Sequence, residues 1–317
     1  MKVLNKKNIM TLVLIVVVYA VIQVLLSAKI IDSFYEITIA TICINIILAV
    51  SLNLVTGFTG QFSLGHAGFM SIGAYAGALI NMEMNSTAGF LIGIIVGAVA
   101  ALLVGILIGI PTLRLKGDYL AIATLGMAEI IRVIFLNMDD ITNGAAGING
   151  IPRYTNWLWL FTFTVLTLVI INNFIKSSQG RACISIREDE IAAESMGINT
   201  TKYKVMAFAI GAFFAGIGGA LYSSYFYFIS PTIFNFQKSI DILVIVVFGG
   251  MGSITGSVIA AILLAIITTL LQSYSELRMI IYSLLLISIM IFRPQGLLGT
   301  KEITDLFKYR KKNAKVE

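Results

Sequence analysis

The sequence is short of the residues that most chemistry needs. Histidine occurs once in 317 residues, at His66, and cysteine twice, at Cys43 and Cys183. The two cysteines fall in different segments without CxxC spacing, which leaves neither a disulfide framework nor a metal cluster to expect. There is no Gly-Lys dipeptide, so a phosphate-binding GxxxxGK[ST] loop is absent, and neither HExxH nor GxSxG occurs. Charge is scarce as well. Asp, Glu, Lys and Arg make up 12% of the chain, against roughly 25% in soluble domains. A globule of this size would have too few charges to cover its own surface. Most of that surface therefore belongs in lipid, and no catalytic site, metal or cofactor is expected on this chain.

Hydrophobic residues take the place of the missing charge, at 58% of the chain and a mean hydropathy of +0.94. Apolar runs cover 9–28, 37–55, 62–82, 88–110, 119–138, 157–175, 205–228, 240–272 and 275–292. A bilayer core of roughly 30 Å takes about 20 apolar residues per helical crossing, so the runs predict an all-α transmembrane bundle of about eight to ten crossings with short loops. The first run follows Lys2, Lys6 and Lys7. It is too long for the roughly 7–15-residue apolar region of a signal peptide, and no A-x-A site follows it, so it reads as a retained helix. Gly73/Gly77, Gly93/Gly97, Gly105/Gly109, Ala212/Gly216 and Ala215/Gly219 are small-xxx-small pairs. In lipid such pairs mark faces where helix backbones pack closely.

The net charge of +6 is spread unevenly. Arg114 and Lys116 sit between two runs, the loop 176–204 holds five Lys/Arg, and the tail 301–317 carries Lys301, Lys308, Arg310, Lys311, Lys312 and Lys315. The loop 139–156 instead sets Asp139 and Asp140 against Arg153. Lys and Arg collect on cytoplasmic loops, so both termini and the 176–204 loop are expected on the cytoplasmic side. Nine plain crossings would put the tail outside. One run must then be broken or doubled. The first candidate is 240–272, which contains GGMGSITG (249–256); the second is GFTGQFSLGHAG (57–68).

Non-helical backbone at membrane depth survives only where it is buried in protein or lines a watery cavity. Two Gly-interrupted segments in the two halves of a chain point to a transport pathway. Its candidate residues are Asn53, Gly57, Gly60, Gln61, Ser63, Gly65 and His66 in the first break, and Gly249, Gly250, Gly252 and Gly256 in the second. Any one of these glycines also reads as a tight turn or a packing point. His66 has no Cys, Asp or Glu close in sequence, and hydrogen bonding near a broken helix is its expected work. Ser51, Asn53 and Asn45 suit bonds between helices. Glu129 and Arg132 lie within a run at i,i+3 spacing, on one face where they can pair. Ionisable residues in a span usually face the bundle interior. The pair reads either as a gate beside the pathway or as an ion pair that sets helix rotation.

The 176–204 loop predicts a short helix over 187–196. Glu188, Asp189 and Glu190 would fill its first turn, where the helix dipole favours acids, and Gly197 would stop it. Ile191, Ala192 and Met196 give it a small apolar face. Such a helix suits docking in a partner's groove, or else is a solvated linker.

Several segments in order resemble one family. SLNLVTGFTGQFSLGHAGFMSIGAYAGAL (51–79), RLKGDYLAIATLGMAEIIRVIF (114–135), TNGAAGI (142–148), FGGMGSITG (248–256) and FRPQGLLG (292–299) are similar to the permease subunits of branched-chain amino acid ABC importers. The RLKGDY segment resembles the LivM-type member of the permease pair rather than the LivH-type. The resemblance implies a single permease domain over 1–300 with a basic cytoplasmic tail at 301–317, in a bacterial cytoplasmic membrane. It implies a LivH-type second permease, two cytosolic ATPases that hold the ATP and magnesium, and an external amino-acid-binding protein. Nucleic acid has no part in it. The cargo implied is leucine, isoleucine and valine, with urea, short amides or another amino acid as the alternative; a stand-alone secondary transporter is the other reading, and the charged 176–204 loop argues against it. The 176–204 loop then corresponds to the ATPase-docking loop with the pattern Glu-Ala-Ala, three residues, Gly. Ala192, Ala193 and Gly197 match; Ile191 stands at the Glu position, with Glu190 one residue earlier.

Overall fold

A computed structural model describes residues 6–29, 31–271, 283–284, 287, 291–292 and 295–299. The run 275–292 expected as a last crossing lies largely outside the described residues, and the basic tail lies wholly outside them. The helices are α1 Lys6–Ser27, α2 Ser33–Asn53, α3 His66–Met84, α4 Thr87–Thr112, α5 Asp118–Leu136, α6 Asp139–Thr142, α7 Trp157–Lys176, α8 Ser178–Glu188, α9 Glu190–Ser195, α10 Thr200–Phe226, α11 Phe236–Gly249 and α12 Ile254–Leu270. A π turn, Leu54–Phe58, continues α2. Two-residue strands β1 Ile148–Asn149 and β2 Phe228–Ile229 pair antiparallel, the described departure from an all-helical chain. Among the described residues, five helical spans are long and apolar enough to cross a membrane: α2 with its π turn, α4, α5, α7 and α10.

Five of the longer helices begin where a polar side chain takes an orphan N–H. Ser86 accepts from Gly89 N, Asn156 from Trp159 N, Asn199 from Lys202 N, Asn235 from Lys238 N and Ser253 from Gly256 N. Asn85 ends α3 in the left-handed region at φ 33°, a conformation Asn tolerates.

Two kinds of packing organise the bundle. α2 is buried all round from Ile46 to Asn53, as a helix apolar on every face must be, and α7, α10, α11 and α12 surround it. The helices α3, α4 and α10 instead meet along glycine. A Cβ on Gly97 would lie 2.8 Å from the Gly73 carbonyl oxygen, one on Gly93 2.9 Å from that of Gly77, and one on Gly105 2.7 Å from the Ala212 methyl. Gly73 faces the Gly216 backbone directly. The small-xxx-small pairs therefore form a single three-helix seam.

The run 240–272 is two helices, with the chain turning at 250–253. α11 leads into this turn, and α12 leaves it along α2, from Ser257 beside Asn53 to Thr269 beside Thr38. Residues 297–298 pass the same turn, where Leu297 N donates to Phe248 O and Leu298 N to Gly249 O. The run 62–82 is also broken. Residues 59–65 are not helical and α3 starts only at His66.

The single short helix expected over 187–196 is two helices. α8 has its own cap, with Ser177 accepting from Gly180 N, and carries Arg187 and Glu188 as its last residues. Asp189 then turns extended at φ −158°, ψ 110° and accepts from Ile191 N and Ala192 N to start α9. The acidic run is thus not one first turn. Asp is among the strongest N-cap residues, and at Asp189 it restarts the helix.

Candidate functional site

The two helix breaks meet. Asn53 is the last residue of α2, is fully buried, and satisfies its amide completely across the junction. Its Nδ2 donates to Ser253 O at 2.9 Å and to Ser257 Oγ at 2.8 Å, and its Oδ1 accepts from Gly252 N at 2.8 Å. Gly57 packs on Asn53 and on the Gly252 backbone with no room for a side chain, and Gly249 packs on Gly256. Gly250 and Gly252 take φ +112° and +90°, which L-residues rarely adopt. Gly250 lies against the Gly299 backbone.

Residues 59–65 are held from three sides. Leu64 N donates to Thr124 Oγ1 of α5 at 3.1 Å, and Gly65 lies against the Thr124 backbone. Ala67 N donates to Ser239 Oγ of α11 at 3.1 Å. His66 Nε2 lies 2.8 Å from Ser51 Oγ of α2. The buried Ser63 reaches Gly65 N at 3.4 Å. Gln61 is buried in this stretch with neither its amide oxygen nor its amide nitrogen hydrogen-bonded. Such a group costs free energy wherever it has no partner.

The end of α8 closes the junction from one side. Arg187 Nη1 donates to Gly57 O at 2.8 Å, its Nε donates to Glu188 Oε1 at 3.1 Å, and its Nη2 pairs with the same carboxylate. Gly60, at φ +72°, leaves room for the Arg187 side chain. Thr59 sits beside Cys183, whose thiol burial pushes up to about 11 despite that hydroxyl.

The short helix α9 is pinned on one side and bare on the other. Glu190 bonds Lys204 of α10 at 2.7 Å and Lys116, ahead of α5, at 3.4 Å. Burial alone would raise its carboxyl; the two ammonium groups outweigh it and hold the pKa below the ordinary carboxylate value. Ala193 is buried. Gly197, at φ +82°, closes the helix, with its N–H donating to Glu194 O and that of Ile198 to Ala193 O, a Schellman-type stop. Ala192 is exposed, and Ile191 and Met196 are 73% and 83% exposed.

Glu129 and Arg132 do pair, at 2.7 Å, but they do not face the bundle interior. The buried face of α5 is Leu120, Ala121, Thr124, Ala128 and Ile131. Ala128 and Thr124 lie against Gly68 and Gly65, too close for ionic side chains. The pair sits partly exposed at the edge of that face. Among the described residues no group of three His, Cys, Asp or Glu side chains could hold a metal ion.

The structure thus joins Asn53 and Gly57 to Gly252, with Gly249, Gly250 and Gly256 shaping the same turn, and places Gly60, Gln61, Ser63, Gly65 and His66 on the adjoining stretch. It keeps Glu129 and Arg132 apart from them. Sequence reasoning missed Ser253, Ser257, Ser239, Thr124, Lys116, Lys204 and the contact of Arg187 with the breaks. Ser253 and Ser257 lay within or beside a Gly cluster already singled out. The others carry no local signal.

Five helical spans long and apolar enough to cross a membrane, with two interlocked helix breaks among them, give the architecture of a polytopic helical membrane protein. The family model for the permease component of branched-chain amino acid transport systems matches residues 34–292, and the chain belongs to that family. It is 37% identical over 289 residues to the high-affinity branched-chain amino acid transport permease LivM of Salmonella typhimurium, covering 80% of this chain and 68% of the relative. The LivM protein of Escherichia coli matches to the same extent. The Escherichia coli LivH protein is 34% identical over 149 residues, 46% of this chain and 47% of LivH. No solved structure matches the chain.

Proposed function

We propose that this chain is one permease subunit of an ATP-driven importer that moves branched-chain amino acids handed over by an extracytoplasmic binding protein. The observation that carries the reading is α9. It is a short helix clamped to the bundle through Glu190 while Ile191 and Met196 point bare apolar side chains outward. Exposed apolar residues on an otherwise polar loop fit docking on a partner, and a cytosolic ATPase suits a loop whose exposed face also carries Lys116, Arg181 and Lys202 on the cytoplasmic side. The chain has no nucleotide motif of its own, so ATP and magnesium belong to the two ATPases. The partly exposed Glu129/Arg132 pair on α5 supports a LivH-type second permease, since an ion pair facing lipid is costly. Substrate would pass at the junction of the two breaks.

The test is reconstitution with the second permease, the ATPases and the binding protein in vesicles. ATP-dependent uptake of leucine, isoleucine or valine is expected. Uptake of urea or a short amide instead would reassign the cargo. Uptake driven by an ion gradient without the ATPases would overturn the reading. Ile191→Asp with Met196→Asp should leave the chain inserted and weaken ATPase association by about tenfold or more, because apolar anchors dominate such interfaces.

A further inference from the structure

We propose that Arg187 is the positioning residue through which movement of α9 reaches the junction of the two helix breaks. The inference rests on the importer reading for what moves α9; the contact itself does not.

Three observations converge on this side chain. First, glycines from both breaks make room for it. A Cβ on Gly60 would lie 3.0 Å from Arg187 Cγ, and one on Gly252 would lie 2.8 Å from its Nη1. Second, it satisfies a carbonyl that the chain leaves behind. After the π turn the Gln61 N–H bonds back to Val55 O, and Gly57 O takes its hydrogen bond from Arg187. A carbonyl at a helix end needs such a partner. Third, the guanidinium is held at its other edge by Glu188, and a single residue, Asp189, separates α8 from α9. A planar fork can hold a carbonyl and a carboxylate at once; an ammonium cannot do so with the same geometry.

The mechanical consequence is direct. A shift that carries the end of α8 along with α9 either breaks the Arg187–Gly57 bond or moves Gly57. Gly57 packs on Gly252 and Asn53, so either event alters both breaks together. The Glu190 links to Lys204 and Lys116 carry the same displacement to α10 and α5. Among these residues Arg187 is the one that hydrogen-bonds the junction itself.

Two measurements test this. Hydrogen exchange on the full chain in detergent compares wild type with Arg187→Gln. Losing a hydrogen bond from a charged group should make amides over 57–62 exchange about tenfold faster in the variant, with α3, α4 and α10 unchanged. Equal exchange overturns the clasp, and faster exchange throughout the chain reduces Arg187 to a general structural residue and overturns it equally. In the reconstituted transporter, Arg187→Gln should lower uptake per ATP hydrolysed by about tenfold while ATPase co-purification is kept, with Arg187→Lys intermediate. An unchanged ratio, or uptake and hydrolysis falling together, overturns the transmission role. A wild-type complex without ATP-driven uptake removes the importer reading and transmission with it, while the exchange measurement still decides the clasp.

Discussion

Gly73 meets the backbone of Gly216 where α3 crosses α10, much as Gly57 meets Gly252 where the two breaks cross. The two contacts use the same residue type at similarly close approach. Around Gly73 every chain is a regular helix, and the neighbours are Gly77, Gly93, Gly97 and Ala220. The backbone there is regular helix, so the close approach at Gly73 itself needs no polar side chain; the polar link between α3 and α10, Asn81 Nδ2 to Ser224 Oγ, lies about two turns away. Around Gly57 the helices have ended. Asn53, Ser253, Ser257 and Arg187 supply the hydrogen bonds that regular structure no longer does, and Gln61 remains unpaired. Close packing is thus used once to fix three helices together and once to hold irregular backbone inside the bundle, where protein shelters it. A region whose hydrogen bonds depend on a few side chains is the one that can exchange them in a second state.

That contrast can be broken at either end. The largest effect belongs to the seam. Gly73→Val places a branched side chain against the Gly216 backbone, which cannot yield as a flexible side chain could. Overpacking costs typically about 1–3 kcal/mol and more where backbone must move. Loss of monodisperse protein on detergent size exclusion is the expected result. At the junction, Asn53→Ala removes both donors and the acceptor and strands the buried Gly252 N–H, at about 1–3 kcal/mol, while the Ser253 carbonyl keeps its bonds from Ser257. A lowered thermal midpoint with the chain still folded would show that the junction is the softer of the two regions. A loss as complete as that of Gly73→Val would erase the distinction.

The smallest effect lies at the loop. Glu190→Gln should weaken ATPase association by a few fold, since the ion pairs it removes are partly exposed. The pH dependence has a definite sign. A carboxyl held below its ordinary pKa adds stability above the unfolded value near 4.3 and loses it as pH falls through the folded value. Wild type should therefore bind equally at pH 7 and pH 5, and should approach the variant only at more acid pH.

Much of this was readable beforehand, and the reasons differ by element. The apolar runs that fall among the described residues became helices because length and hydropathy are local properties. The Gly pairs at i,i+4 became the seam because helical periodicity puts them on one face. The Gly clusters at 57–68 and 249–256 became breaks because runs of glycine weaken a helix wherever they fall. The split at Asp189 was missed because three consecutive acids look alike in sequence. Only one of them turns out of the helix to cap the next. The outward position of Glu129 and Arg132 was missed because the spacing that pairs them says nothing about which neighbour α5 faces.

By itself the sequence determined an apolar, helical, membrane-embedded chain with two glycine interruptions and one charged loop, because composition, period and charge bias act within a few turns of any residue. Only the tertiary structure decided that Asn53 joins the two interruptions across 199–204 residues. It alone decided that Arg187 reaches Gly57 from 130 residues away and that Glu190 turns inward while Ile191 faces out. Those pairings rest on which helix packs beside which. In lipid that choice is made by close backbone contact and mutual hydrogen bonding between segments, which no local pattern records.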